Sequence, residues 1–336
     1  MIQLRRIALS ALVMTMAFSS VAPLTAFAAS SANQGVGQAL EIAPPVLNIK
    51  ADPGQTVKTT ISLRDVSTSP LVVRNQINDF VANGEDGTPR LLLDENGNAE
   101  SSPYSLKDWV QPLPQFTLKP REVNQLPVTI SVPANAAPGG YYAVVRFTAS
   151  PPGLDGNGVS LSASLGTLIL LRVNGDAKEA MKVEEFSATK NGLSNWLFES
   201  VPINLITRVK NEGSSHEQPS GQAAIKDMFG NPVANVNFNL NQSNVLPGSI
   251  RRFEQPLDSS SIGNRILFGR YTADLKMSYG TNGQTMTAST SFWVIPYRMI
   301  AAVLIFIVIV IVIGRILLKR YTERVVERSR GRRRRR

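Results

Sequence analysis

One histidine, His216, and no cysteine occur in a chain of 336 residues. Disulfides, thiolate metal sites, iron–sulfur clusters and thiol nucleophiles are thereby excluded. Hydrolytic triads and zinc sites need at least one histidine and usually several polar partners. His216 lies in "NEGSSHEQPSG" and reads as a solvated loop residue. The carboxylates are scattered and name no acid–base dyad. Asp94 to Glu100, "DENGNAE", invites a calcium reading, but its glycine comes two places too early for an EF-hand loop, so a solvated turn is the better reading. Asp155-Gly156-Asn157-Gly158 reads as an ordinary hairpin loop. No catalytic residue, metal site or cofactor follows from these positions, and the chain reads as non-enzymatic. Aromatic side chains remain, which can stack on sugars or anchor a protein partner. Tyr104 sits in "SPYSLKDWVQPLP", and Tyr141 and Tyr142 are neighbours on a strand, so one of the two must face outward. Tyr104, Tyr141 and Tyr142 are the candidate ligand contacts. Trp109 and Trp196 read as residues buried between sheets. Asn241-Gln242-Ser243 is a lone glycosylation-type triplet and carries little weight.

The elements that must position these residues are short alternating runs between Pro, Gly, Asn and Asp turns. That is the texture of an all-β sandwich, with no sustained helical period before the last forty residues. "PPVLNIK" (Pro44 to Lys50) enters as an edge strand, its prolines placed where no ladder donor is needed. Val57, Thr59, Ile61 and Leu63 alternate, as do Leu126, Val128, Ile130 and Val132. "PGGYYAVVRFTAS" and "VSLSASLGTLILLRV" close the first half. Asn83 to Ser105 reads as a long polar loop, too long for a hairpin and therefore a candidate recognition loop. The pattern breaks at Asn174-Gly175-Asp176 and restarts, with a hairpin turn at Met228 to Asn231. Two tandem Ig-like sandwiches are predicted, a distal one over residues 41–175 and a membrane-proximal one over 178–295, with about seven strands in each.

Both ends are apolar. Residues 1–28 read as a cleaved signal peptide: Arg5 and Arg6, the run "IALSALVMTMAF", then Ala26-Phe27-Ala28. Residues 299–318 form a run of the length that spans a hydrocarbon core, about 20 residues, with Trp293 and Tyr297 at its near edge. The basic residues that follow, over 319–336 and ending in "RSRGRRRRR", place that side in the cytoplasm. The expected topology is single-pass type I in the cell membrane, N-terminus outside. The formal charge of +10 belongs to the ends, since the middle balances 22 basic against 23 acidic residues. The tail therefore reads as a topology and lipid device, each arginine contributing about 1 kcal/mol near an anionic leaflet. No nucleic-acid role is expected.

The order of pieces "KADPGQTVKTTISLRDVS", Trp109, "FTLKPRE…VTISVPANAAPGGYYAVVRF" resembles the first domain of bacterial WxL-interacting surface proteins. "VKNEGSSHEQPSGQAAIKDMFGNPV…NVLPGSIRRFE…LFGRYTADLKMSYG" is similar to their companion Ig-like domain. The resemblance covers nearly the whole chain and implies peptidoglycan binding by the first domain and docking of a surface protein by the second. The long Asn83 to Ser105 segment and the short arginine tail depart from that pattern. The expectation is a membrane-anchored binding protein for a cell-wall polymer, another surface protein, or both, attached to lipid through its span and tail. The alternative is a structural spacer or assembly subunit of a larger membrane complex.

Overall fold

The structure is a computed structural model and describes residues 40–93, 101–150, 164–263 and 265–333. The signal peptide (1–28), Asp94 to Glu100, Asp155 to Gly158 and Arg334 to Arg336 lie outside the described residues.

In chain order the first half contains β1 (Leu40–Ala43), β2 (Val46–Ala51), β3 (Thr56–Asp65), β4 (Leu71–Asn83), β5 (Thr88–Leu92), β6 (Phe116–Leu118), β7 (Val123–Ser131), β8 (Gly139–Ser150) and β9 (Ser164–Val173), with one 3-10 turn at Lys107–Trp109. One sheet runs β1-β3-β7; the other runs β2-β9-β8-β4-β5, with β6 also paired to β4. The chain changes sheets at Pro44-Pro45, which donate no ladder hydrogen bond. The alternation seen in the sequence becomes the core: Ile61, Leu63, Val128 and Ile130 from the small sheet meet Val73, Val145, Phe147, Ile169 and Leu171 from the large one, all fully buried. β8 and β9 read as near-continuous apolar runs because their second face is covered too. There Tyr142, Val144 and Leu170 are buried with Phe80, beneath Leu246 of the second half.

The second half contains β10 (Met181–Lys190), β11 (Leu193–Ser194), β12 (Leu197–Phe198), β13 (Ile203–Asn211), β14 (Ser220–Asp227), β15 (Pro232–Phe238), β16 (Ile250–Leu257), β17 (Gly269–Tyr279) and β18 (Gln284–Val294). Its sheets run β11-β10-β13-β16 and β12-β18-β17-β14-β15, and among the described residues no strand of one half pairs with a strand of the other. Leu205, Val209, Ile225, Leu257, Leu275 and Phe292 fill the space between them. The β14–β15 hairpin turns at Met228 to Asn231 as the sequence indicated, closed by the Asp227 carboxylate, which accepts the Phe229 and Asn231 N–H groups at 2.9 and 2.8 Å. The described residues thus form two tandem Ig-like β-sandwiches followed by one apolar helix.

Two elements differ from expectation. Asn83 to Ser105 is not one open loop: Thr88–Leu92 forms β5 and pairs back on β4 from Asn83↔Thr88 to Asp79↔Leu92. Its short alternating run was masked by turn residues on both sides. The terminal helix α1 (Tyr297–Arg333) includes the expected span, since Tyr297–Lys319 is long and apolar enough to cross a membrane, and continues without a break into the basic tail. Only Ile295 and Pro296 separate β18 from α1. Pro296 suits a helix start because the first-turn N–H groups have no intrahelical acceptor, and its carbonyl accepts the Ile300 N–H at 3.0 Å.

Candidate functional site

A groove lies where the far end of the second sandwich meets the outer face of β8 and β9, and three sets of contacts hold its walls. The β4–β5 turn reaches across: Arg208 on β13 grips the Glu85 carboxylate through Nε at 2.7 Å and through a second guanidinium nitrogen, and the Arg252 N–H donates to the Glu85 carbonyl at 2.7 Å. The hydrogen bond from Arg208 holds the Glu85 carboxyl below its ordinary pKa. The turn is tight because Gly87 has φ +83° and lies against the guanidinium of Arg251. At the second point, the Gly140 N–H donates to the Ser214 carbonyl at 2.8 Å, and the Tyr142 hydroxyl meets His216 Nδ1 at 3.3 Å. The third is a buried ion cluster. Arg172 on β9, 13% exposed, lies between Glu179 of the connecting segment, 6% exposed, and Glu217 of the β13–β14 loop, 4% exposed.

The cluster divides its protons by environment. Burial drives Glu217 above the ordinary carboxylate range; the charge of Arg172 opposes this and that of Glu179 adds to it. Burial also acts on Glu179, but its hydrogen bonds from Arg172 and from the N–H and hydroxyl of Thr281 outweigh that, and its pKa is lowered. Burial, then the charges of Arg172 and Lys50, push His216 down to about 4. His216 is therefore a neutral packing residue and not the solvated loop histidine its polar neighbours indicate.

Two adjoining cavities make up the groove and share Asn48 and Gln218. One, of about 410 Å³, has an apolar floor of Phe80, Leu168 and Leu170 and an amide rim from Asn241 to Asn244. The other, of about 640 Å³, holds Lys50, Arg172, His216 and Glu217. β2 runs along both. It pairs in parallel with β9 only, from Val46↔Leu168 to Ala51↔Val173, and is the edge of its sheet. Bonds from the Leu168 N–H to the Pro45 carbonyl and from the Asn174 N–H to the Ala51 carbonyl set the phase of that ladder. The backbone groups of Leu47, Ile49 and Ala51 consequently point to β9, while those of Val46, Asn48 and Lys50 point away from it. Their outward N–H and C=O groups have no partner among the described residues. The same ladder sets Lys50 opposite Arg172, so the open edge ends at a paired cationic position.

The three tyrosines singled out in the sequence lie close together but in different settings. Tyr142 is buried, its ring edge-on to Phe80, Tyr104 and His216. Tyr104 is half-buried beside it, held where Asp79 accepts the Ser102 N–H and the Ser105 hydroxyl, and the Tyr104 carbonyl takes the Tyr142 N–H at 2.8 Å. Tyr141 faces the other way and packs on Trp109, ring centroids 4.3 Å apart. Trp109 is half-buried, and Trp196 is 66% exposed instead of lying between sheets, because it sits in the loop before β12. Sequence reasoning missed Lys50, Arg172, Glu179 and Glu217. Only the register between β2 and β9 sets Lys50 beside Arg172, and only the meeting of the sandwiches adds the two carboxylates.

Solved structures similar to this chain include the SafA pilin in complex with the SafB chaperone of Salmonella enterica (12% identity, 76% of this chain, 96% of that chain, TM-score 0.33), the CupB2 chaperone of Pseudomonas aeruginosa (10%, 75%, 100%, 0.33) and the DraB chaperone of E. coli (14%, 76%, 96%, 0.32). No family model and no curated protein matches the chain.

Proposed function

We propose that this is a non-enzymatic, membrane-anchored surface protein that binds an extended segment of another surface protein in the groove between its sandwiches. The observation that carries this is the open edge of β2, with three residues whose outward backbone groups are unpaired and whose strand borders both cavities. An added strand would pair with Val46, Asn48 and Lys50 and bring its side chains over the apolar floor, the mode by which exposed sheet edges take peptides. The chain is oriented with its sandwiches outside the cell and its basic tail in the cytoplasm, as the charge after the span favours. A second reading keeps the resemblance to WxL-interacting proteins and takes a cell-wall polymer as the ligand. It is favoured by the amide rim of Gln218, Asn241, Gln242 and Asn244, side chains that hydrogen-bond sugar hydroxyls in either direction.

The test uses the full chain in detergent, with a proline at position 48. Asn48→Pro removes an N–H that points away from β9, so the sheet loses no ladder bond. Capture of envelope proteins by the wild type and not by the variant, with an unchanged melting temperature, is the expected result. Co-sedimentation of both forms with purified cell-wall sacculi, without protein capture, supports the polymer reading. Capture of neither returns the spacer alternative.

A further inference from the structure

The second sandwich has a greasy end. β17 begins, and β10, β12, β14, β16 and β18 finish, at the end from which α1 leaves. The pairings fix this: Gly269↔Val294, Tyr271↔Asp227, Leu197↔Trp293 and Ile203↔Leu257 all fall there. The loops at this end carry exposed apolar side chains one after another. They are Leu193 and Trp196 around β11, Met228 and Phe229 at the β14–β15 turn, and Ile266 and Phe268 before β17. Phe229 is 81% and Ile266 77% exposed, and Trp293 on the last strand is exposed as well. Among the described residues of this sandwich, the one other exposed large apolar side chain is Leu240, at the opposite end. Among the described residues of the first sandwich, no aromatic side chain is exposed in this way.

We infer that this end of the second sandwich is embedded in the headgroup layer of the bilayer that α1 crosses. The inference rests on α1 being a membrane span. A crown of Trp, Phe, Ile, Leu and Met drawn from separate loops is far more apolar surface than a solvated loop end ordinarily shows. Its location chooses the occupant. Two residues alone separate Val294 from the first helical residue, and the Glu199 carboxylate of the β12–β13 loop meets Arg298 of the first helical turn at 3.4 Å. The Trp293 N–H donates to the Trp196 carbonyl at 2.7 Å, so the loop with Trp196 is fastened to the strand that leads into the span. These loops therefore reach the membrane at the level of Tyr297, where tryptophan and other amphipathic rings are favoured. Arg265, Arg270 and Arg298 are exposed among them and suit lipid phosphates. The sandwich is held to the lipid by its own loops as well as by the helix, which fixes the direction in which the groove is presented.

The chain has three tryptophans, Trp109, Trp196 and Trp293, which make the test direct. The full chain is reconstituted in vesicles of lipids brominated either near the headgroup or deep in the acyl chain. One variant keeps Trp196 alone (Trp109→Phe, Trp293→Phe). Two others have no native tryptophan and carry Phe229→Trp, at a side chain that is exposed, or Leu304→Trp, inside the apolar run of α1 and about 10 Å along the helix from Tyr297. Trp196 and Phe229→Trp are expected to lose emission to the shallow quencher more than to the deep one, and Leu304→Trp to the deep one. Quenching of Leu304→Trp without quenching of Trp196 and Phe229→Trp overturns the inference and leaves the span intact, whether the crown is then in water or against a second copy. Leu304→Trp unquenched by either lipid sinks the span and the inference with it.

Discussion

His216 shows what burial does to a single residue. Its ring packs edge-on to Tyr142 and lies near Arg172 and Lys50, and its pKa is lowered from 6.5 to about 4. The unfolded chain therefore binds this proton more readily than the folded one. Stability from this residue is complete above about pH 6.5 and is lost as pH falls toward 4, on the order of 3 kcal/mol in all. Glu217 works in the opposite sense: its raised pKa means the folded state takes a proton early, which favours folding on acidification. The two partly cancel in the wild type, so the difference between proteins is the informative quantity. His216→Asn is expected to remove the histidine's share, giving a variant whose urea midpoint falls less between pH 7 and pH 4.5. Parallel curves for both proteins would show that the ring is solvated.

At the scale of elements, the β4–β5 hairpin decides whether the groove has a wall. Glu85 at its turn takes a bidentate hold from Arg208 and a backbone bond from Arg252. The turn closes only because Gly87 accepts φ +83°, and a Cβ there would stand 2.2 Å from the Arg251 guanidinium carbon. Gly87→Ala should cost at least about 1 kcal/mol from the left-handed backbone alone, measured by chemical denaturation. Moving Arg251 aside also disturbs its bond to the Asn244 carbonyl, at 2.7 Å, on the amide rim. Partner capture should therefore weaken more than the stability loss accounts for. A variant as stable as the wild type would mean the turn relaxes at no cost and is not held by its glycine.

Across the whole molecule the question is whether the sandwiches act as two bodies or one. The interface combines an apolar contact, with Leu246 over Phe80, Tyr142 and Leu170, with an ion cluster that neither half completes alone. Domains joined in this way should melt together, so the sandwiches of the full chain in detergent are expected to show one thermal transition by near-ultraviolet circular dichroism. Arg172→Met leaves Glu179 and Glu217 buried without their cation, a loss of about 3–5 kcal/mol for a broken buried pair. Two resolved transitions are expected for this variant. Two transitions in the wild type would show instead that the halves fold independently, as the pattern break at Asn174 to Asp176 alone implies.

The sequence by itself determined what depends on near neighbours. Alternation of apolar residues marked β3, β7 and most other strands, the Pro44-Pro45 pair marked β2 as an edge, and Met228 to Asn231 marked a hairpin turn, because strand period and turn chemistry are local. The apolar run of α1 was legible for the same reason. Tertiary structure decided what depends on distance. Lys50 and Arg172 meet through a parallel register that no short pattern encodes, and Glu217 joins them only when the second sandwich docks. β5 was hidden in a polar segment because its pairing with β4, and its turn's grip on Arg208, supply what its composition lacks. Trp196 was expected inside on hydrophobicity alone, yet a residue's burial is set by which elements close over it, and none closes over the loop before β12.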